Sequence, residues 1–400
     1  MSSRRPSLLL AALVTILAAG APAGCSDPDE PAAPAAAAAP DVVPALDRAL
    51  EARARAVRRA DADGFARLVG GTRAFREREG TWFGNLTQLP IARLSYRPAP
   101  GSLVREGDAY RVTVTESLQL ERYDAAPVTS EGRYRFAPAP RHPGRYRLTG
   151  LTGADPQPWD TGPVVVREGD GVLGVFDPDS VDRAPDLIAS VEDGIATVAA
   201  EVPYDWSRTV VVYALTDPAF LDGLEDVPGD DPGDLDAVAF SAGDGTRFVI
   251  NPRVVDRPGP ERDRLVRHEL VHVAVGTHDD GAPVWLSEGL AEYVSVRPLA
   301  PEDRRIPEAA VAAAESGVDD LPDDATFNGE DSEAHYGLAW WAVEYLADAY
   351  GEEAPWQLLD AMAAPGADPD SVLHDQFATS SHELARQADR LIVALYEAAG

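Results

Sequence analysis

The pentapeptide His268-Glu269-Leu270-Val271-His272 has the residue types and the spacing of a metal-binding helix. Residues four apart lie on one face of a helix, so His268 and His272 can direct two imidazoles at a single ion. Glu269 then lies beside that ion, where a carboxylate can act as a general base. Two neutral imidazoles leave a zinc ion with its full charge and too few ligands, so the chain must supply a third ligand.

Glu288 is the candidate for this third ligand. It lies in a second helical pattern, Pro283–Tyr293, with fifteen residues between it and His272. The loop at 276–282 is long enough to turn the chain, so an antiparallel second helix can bring Glu288 opposite the histidine pair. The predicted site is two histidines and one glutamate around one zinc ion, with an open position for water.

Together the two segments resemble the zinc site of the gluzincin metallopeptidases, the thermolysin and aminopeptidase N group. His-Glu-x-x-His at 268–272, followed by Trp-Leu-Ser-Glu-Gly at 285–289, is most similar to the peptidase MA-like family of exported bacterial proteins. The resemblance implies that Glu288 is the third zinc ligand. The spacer is shorter than in aminopeptidase N, and the Gly-Ala-Met-Glu-Asn segment that binds a free amino terminus is absent, so we expect an endopeptidase.

The same resemblance implies roles for further residues. In thermolysin-like enzymes an acid four residues beyond the ligand glutamate orients the first zinc histidine, which points to Glu292 as the partner of His268. The opposite assignment, with Glu292 as the ligand and Glu288 solvated, stays open. In the aminopeptidase N group a downstream tyrosine stabilises the oxyanion, which points to Tyr336. His335 is its competitor, and a packing or capping role for Tyr336 is the alternative.

The implied function is hydrolysis of peptide bonds in peptide or protein substrates by metal-activated water, with Glu269 as the base. The rival is a zinc-stabilised surface binding protein without turnover. Glu269 favours the enzyme, because a structural zinc site prefers four protein ligands and has no use for a carboxylate between its histidines. Amide hydrolysis on cell-wall peptides is a second rival that keeps the metal.

The fold expected around this site is α+β, in two parts. Residues 42–152 combine helical and alternating patterns, which resemble the helix-plus-curved-antiparallel-sheet cone of cystatin-like or nuclear transport factor 2-like domains. That part is expected to be either plain scaffold or a partner-binding module. Residues 163–400 predict a gluzincin-like domain with a mixed sheet, the two zinc-site helices and a C-terminal helical bundle. Residues 240–250 are expected to form the rim of its cleft.

Residues 1–25 have the pattern of an export signal, with a charged start and an apolar run that is short for a membrane span. Cys25 is the only cysteine and stands where a lipoprotein is acylated. This predicts a protein on the outer face of the cell membrane, in contact with the membrane through its lipid anchor only. Ordinary secretion with cleavage near Ala23 is the alternative. Residues 26–41, rich in proline and alanine, predict a flexible linker.

The chain is strongly acidic, with 67 acidic and 35 basic residues and a formal net charge of -32. A nucleic acid is repelled by such a surface, so we expect no nucleic-acid partner. Every basic residue is an arginine, which is typical of a GC-rich genome. The acidic loop at 217–236 lacks the regular alternation of an EF-hand, so a solvated loop is favoured over a calcium site. The oligomeric state is left open by the sequence.

Overall fold

The computed structural model describes residues 42–153, 157–160, 162–216 and 235–396. All of them belong to one compact unit, residues 38–400. The predicted export signal, the lipidation site Cys25 and the linker lie outside the described residues, as does most of the acidic loop. The predicted mixed α+β class is confirmed. No helix within the described ranges is long and apolar enough to cross a bilayer.

The first part of the chain has three helices and a five-stranded antiparallel sheet. Its strands lie in the order β1-β3-β4-β5, with β2 paired to β3. Irregularities in register after Ile91 and after Arg135 are the kind of feature that bends a sheet. The elements are α1 (Val42–Arg58), α2 (Ala62–Leu68), α3 (Arg73–Leu86), β1 (Ile91–Pro98), β2 (Val104–Glu106), β3 (Ala109–Leu120), β4 (Val128–Pro138) and β5 (Tyr146–Thr152).

The second part begins with another five-stranded sheet, in which the strand order is β6-β7-β8-β10-β9. The pairs β7/β8 and β8/β10 are parallel, and the two outer pairs are antiparallel, so this sheet is mixed. Strand β9 lies at one edge, and β10 lies inside the sheet. The strands are β6 (Val165–Glu168), β7 (Val172–Phe176), β8 (Val210–Ala214), β9 (Ala237–Ala242) and β10 (Gly245–Ile250).

Nine α-helices of the described residues accompany the second sheet. Helix α4 packs on α6 and on β7, while α7 packs between α6 and α9. The helices are α4 (Ala184–Glu201), α5 (Pro252–Val255), α6 (Pro260–Val275), α7 (Val284–Ser295), α8 (Glu308–Ser316), α9 (Ser332–Tyr350), α10 (Ala354–Met362), α11 (Pro369–Phe377) and α12 (Ser381–Tyr396).

Both faces of the second sheet are covered. On β8, Val210 and Val212 pack into a core shared with the helices, whereas Val211 and Tyr213 pack into a core shared with the first sheet. Successive residues of a strand point to opposite faces, so one strand serves two cores. The two parts of the chain therefore share apolar packing, and their division into two domains, 42–152 and 163–400, stays a prediction.

Candidate metal centre

Two helices carry the predicted ligands. Helix α6 begins at Pro260, whose fixed backbone suits a first helical position. Glu261 and Asp263 lie in its first turn, where their negative charges stabilise the helix by interacting with the positive end of its dipole. It ends before Gly276, where φ is 57°. Asp324 caps the start of α7 by accepting a hydrogen bond from the Val284 N–H at 2.8 Å. Both helices and the turn between them lie at the predicted positions in the chain.

The side chains of His268, His272 and Glu288 meet at one point, where their ligand atoms all lie within 4.8 Å of one another. The His268 Nε2 atom is 3.1 Å from Glu288 Oε2 and 3.4 Å from His272 Nε2. The third side of this triangle, from His272 Nε2 to Glu288 Oε2, is 3.5 Å. Two imidazole nitrogens and one carboxylate oxygen thus form a nearly equilateral triangle.

This triangle fits one face of a zinc tetrahedron. Zinc binds nitrogen and oxygen at about 2.0 to 2.2 Å, which places tetrahedral ligands about 3.3 to 3.6 Å apart. The three observed separations, 3.1, 3.4 and 3.5 Å, lie close to that range. The donor set also leaves a fourth position free of protein ligands among the described residues. The group can therefore hold one metal ion, and its nitrogen and oxygen donors suit zinc.

Gly289, the residue after the third ligand, allows α7 and α9 to approach closely. A Cβ atom at this position would lie 2.6 Å from the backbone oxygen of Ala339 and 2.9 Å from its carbonyl carbon. Backbone atoms of a packed helix cannot move aside easily, so a side chain here would push α9 away. The structure thus explains the Glu288-Gly289 pair: Glu288 contacts the two histidines, and Gly289 allows α9 to pack closely against α7.

Glu288 and Glu292 lie at opposite ring nitrogens of His268: Glu288 is near Nε2, and Glu292 is near Nδ1. Glu292 Oε1 is 3.0 Å from His268 Nδ1, although the direction of this contact is poor for a hydrogen bond. Its other oxygen, Oε2, is paired with the guanidinium of Arg264, which also donates to the backbone oxygen of Arg305 at 2.7 Å. Arg264 further stacks over the Trp340 ring at 5.0 Å. Glu292 is therefore fixed from both sides.

Opposite charges shift the pKa values within the centre. Burial disfavours a charge on His268, but contacts with Glu288 and Glu292 outweigh it and hold its pKa well above the ordinary value. Burial also disfavours a charge on His272, but the nearby Glu288 outweighs it and raises the pKa of His272. Burial would raise the pKa of Glu288, yet the two imidazoles lower it far below its usual range. A divalent cation must therefore compete with protons for these imidazole nitrogens.

Glu269 is 4% exposed and lies on α6 between the two histidines. Burial raises the pKa of its carboxyl, while the neighbouring His268 and His272 act in the opposite direction. The backbone of Ala239, on the edge strand β9, also lies near this carboxyl and acts to lower its pKa. A buried carboxyl with a raised pKa next to a metal site is the expected state of a general base.

The structure brings Tyr336 to the centre and turns His335 away. The Tyr336 ring lies 6.0 Å from the His268 ring, and burial together with the charge of Glu288 holds its pKa well above the ordinary value. Its hydroxyl donates to Asn328 Oδ1 at 3.3 Å. The Nδ1 atom of His335 instead lies 2.9 Å from the backbone oxygen of Phe327.

Sequence reasoning missed three residues of this centre: Arg264, Asn328 and Ala239. Arg264 had a detectable signal, because it precedes His268 by four positions and so lies on the same helical face. Asn328 lies in the loop before α9, and Ala239 acts through its backbone, so neither had a sequence signal. The predicted cleft rim at 240–250 included β10, whereas β9 forms the edge of the sheet.

His268, His272 and Glu288 form a three-ligand site that could hold one metal ion, with the buried carboxylate of Glu269 beside it. Comparison with known proteins does not assign this site to a family. No protein-family model matches the chain, and no curated protein matches it.

Proposed function

We propose that this chain is a zinc-dependent metallopeptidase, of the gluzincin type that the sequence resembles, which hydrolyses internal peptide bonds. The observation that carries the proposal is the triangle of His268 Nε2, His272 Nε2 and Glu288 Oε2, with sides of 3.1 to 3.5 Å. Its nitrogen and oxygen donors support zinc as the ion. When bound, the ion would polarise a water molecule and the substrate carbonyl.

The chain's own residues supply the remaining chemistry. The Glu269 carboxylate accepts a proton from the attacking water and later passes it to the leaving amine. The Tyr336 hydroxyl donates a hydrogen bond to the oxygen that becomes negative in the tetrahedral transition state. Glu292, held by Arg264, keeps the His268 ring in place.

The edge strand β9 supports a peptide substrate. It is the last strand in the order of its sheet, so its outer side is free of strand partners among the described residues. Ala239 on this strand contacts Glu269 through its backbone, so the edge runs beside the proposed base. An extended peptide can pair with such an edge through its main chain, which a sugar or a lipid cannot do. The proposed location is the outer face of the cell membrane, with Cys25 as the lipid anchor.

The decisive variant is Glu269→Gln. We expect it to bind one zinc ion as tightly as the wild type and to lose activity by about 10²- to 10⁴-fold, because only the proton acceptor is removed. Glu261→Gln is the matched control, since Glu261 is exposed at the start of the same helix. Metal content is measured on the purified protein, and cleavage is followed on a diverse peptide library with and without a chelator.

Two results would count against the proposal. Equal cleavage by Glu269→Gln and the wild type would remove Glu269 as the base. Stoichiometric zinc without chelator-sensitive cleavage of any peptide would favour the alternative, a zinc-stabilised binding protein. Restoration of activity by added zinc after chelation would support the enzyme.

A further inference from the structure

A basic groove of about 530 Å³ lies between α1, α2 and β5, and none of its lining residues belongs to the metal centre. One acid, Asp61, lines it. The chain has 67 acidic and only 35 basic residues, so a wall of average composition would carry about two acids for each base. This groove reverses that ratio with six arginines: Arg48, Arg55, Arg59, Arg67, Arg145 and Arg147.

The positive charge of this basic groove is almost uncompensated. Within the described residues, Arg55 alone of the six has an ion pair, at 3.5 Å from Glu51. The Arg55 and Glu51 side chains are 48% and 67% exposed, so the pair is weak. The Nε atom of Arg147 is buried and has no hydrogen-bond partner. These guanidinium groups are therefore available to an external anion.

The shape of the groove suits several anionic groups at once. Arg48 and Arg55 lie seven positions apart on α1, about 10 Å along its axis, and Arg59 lies in the turn that directly follows this helix. Small side chains beside these arginines line the floor of the groove: Ala45, Ala49, Ala52 and Ala56. A floor of methyl groups lets a ligand lie against the helix while the longer arginines surround it. A guanidinium group matches phosphate oxygens with two parallel hydrogen bonds.

We propose that the basic groove binds the headgroups of anionic phospholipids and holds this face of the protein against the membrane. The inference rests on the proposed lipid anchor at Cys25. Sixteen residues, 26–41, separate that cysteine from α1, and a fully extended chain of this length reaches at most about 55 Å. Helix α1, which carries Arg48 and Arg55 and is directly followed by Arg59, is thus the described element nearest the anchor in the chain. A lipid anchor combined with a basic patch binds a membrane more firmly than the anchor does alone.

Screening by salt explains how the basic groove can bind an anionic membrane although the whole protein is acidic. A body with a net charge of -32 is repelled by an anionic membrane, but salt screens charges beyond about 8 Å. Only the face in contact with the lipid then determines the sign of the interaction. The basic groove can attract headgroups while the acidic remainder turns away, which orients the protein. Each arginine near such a surface strengthens binding roughly fivefold.

The test uses the compact unit, residues 38–400, so that no acyl chain contributes. Its binding is measured by cosedimentation with vesicles of phosphatidylcholine alone and of phosphatidylcholine with phosphatidylglycerol, at low and high salt. We expect binding only to the anionic vesicles and its loss at high salt. The triple variant Arg48→Gln/Arg55→Gln/Arg59→Gln is expected to bind roughly a hundredfold more weakly. Glutamine keeps the helix propensity of α1.

A matched control removes the same charge elsewhere. Arg73, Arg386 and Arg390 have exposed side chains in exposed pairs, and their triple change to glutamine should leave vesicle binding intact. An equal loss in both triple variants, or equal binding to both kinds of vesicle, would overturn the proposal. It would also be overturned if inorganic phosphate raised the melting temperature in an arginine-dependent way while vesicles did not bind. Zinc content and peptide cleavage in solution should be unchanged in the groove variant, so a failure here is distinct from a failure of the metallopeptidase proposal.

Discussion

Arg264 lies one turn before His268 on α6 and holds Glu292 from the side opposite the histidine. Its guanidinium is anchored by the Arg305 backbone oxygen at 2.7 Å and by the Trp340 ring. Arg264 is therefore a positioning residue that acts on His268 through Glu292. Arg264→Gln should weaken zinc binding by about 10- to 100-fold, the usual effect of losing such outer support. Competition with a chelator measures this affinity.

Arg305→Gln is the control for Arg264→Gln. It removes an exposed charge nearby, while the backbone oxygen that Arg264 uses is kept. Unchanged zinc affinity in Arg264→Gln would show that Glu292 needs no support from this arginine.

Glu116 in β3 gives a pH dependence that is independent of the metal. Burial raises the pKa of its carboxyl from the ordinary 4.5 to about 7, although Arg53 acts in the opposite direction. The folded state then binds the proton more tightly than the unfolded state does. The free energy of unfolding therefore falls as pH rises from about 4.5 to about 7 and is level above that range.

Glu116→Gln should abolish this fall, because the amide does not ionise and its oxygen can still accept from the Tyr134 hydroxyl. Relative to the wild type, the variant should gain about 2 kcal/mol between pH 5 and pH 8, a figure reduced for partial exposure of the side chain. Urea unfolding at the two pH values measures it. Glu131→Gln, an exposed glutamate of the same sheet, should show no such gain. Parallel pH curves for the wild type and Glu116→Gln would contradict the assignment.

At the scale of elements, the contact between α7 and α9 determines where Tyr336 lies. Gly289→Ala places a methyl group 2.6 Å from the Ala339 backbone oxygen, and Tyr336 lies one turn before Ala339 on the same helix. We expect a loss of about 1 to 3 kcal/mol in unfolding free energy and a fall in kcat that exceeds the loss of zinc affinity.

The control for Gly289→Ala is Gly80→Ala in α3, where a new Cβ meets nothing within 4 Å. That change should stabilise the protein by about 0.5 to 1 kcal/mol. Thermal unfolding and steady-state kinetics are compared for the two variants. A stable and fully active Gly289→Ala would show that α9 can shift without cost.

The elements around the candidate metal centre could be predicted because their patterns are local. Helices α6 and α7 show helical periodicity and clear end signals, and the hairpin of β9 and β10 surrounds a glycine turn. Helix α3 is hard to predict from the sequence, since glycines at 80 and 84 lower its helix propensity. The parallel pairing of β8 with β10 could not be predicted, because it joins segments that are distant in sequence.

The assignment of the two glutamates on α7 shows the same limit within the site. Glu288 and Glu292 are four residues apart and share one helical face, so spacing alone could not tell ligand from support. In the folded chain Glu288 Oε2 lies 3.1 Å from Nε2 of His268, and Glu292 Oε1 lies 3.0 Å from Nδ1. The distinction depends on how α7 packs against α6, which is tertiary information.

At the scale of the whole molecule, polar contacts join the two parts of the chain as well as the shared apolar core. Arg247 on β10 pairs with Asp124, which follows β3, at 2.5 Å, and both side chains are only 5% exposed. The side chain of Asn85 donates to the backbone oxygens of Trp159 and Gly162 and accepts from the Val164 N–H. We therefore expect both parts to unfold in one cooperative transition.

Asp124→Asn tests this coupling from a position outside the metal centre. Removing one charge of a buried pair costs about 3 to 5 kcal/mol, which corresponds to a fall of roughly 5 °C or more in melting temperature. Because the sheets share a core, zinc should be released at the same lowered temperature. Calorimetry and a zinc-sensitive dye recorded on the same sample measure the two events, with Asp108→Asn at an exposed turn as the control. If Asp124→Asn instead produced two separate transitions, with zinc released at the wild-type temperature, the two parts would be independent folding units despite their shared core.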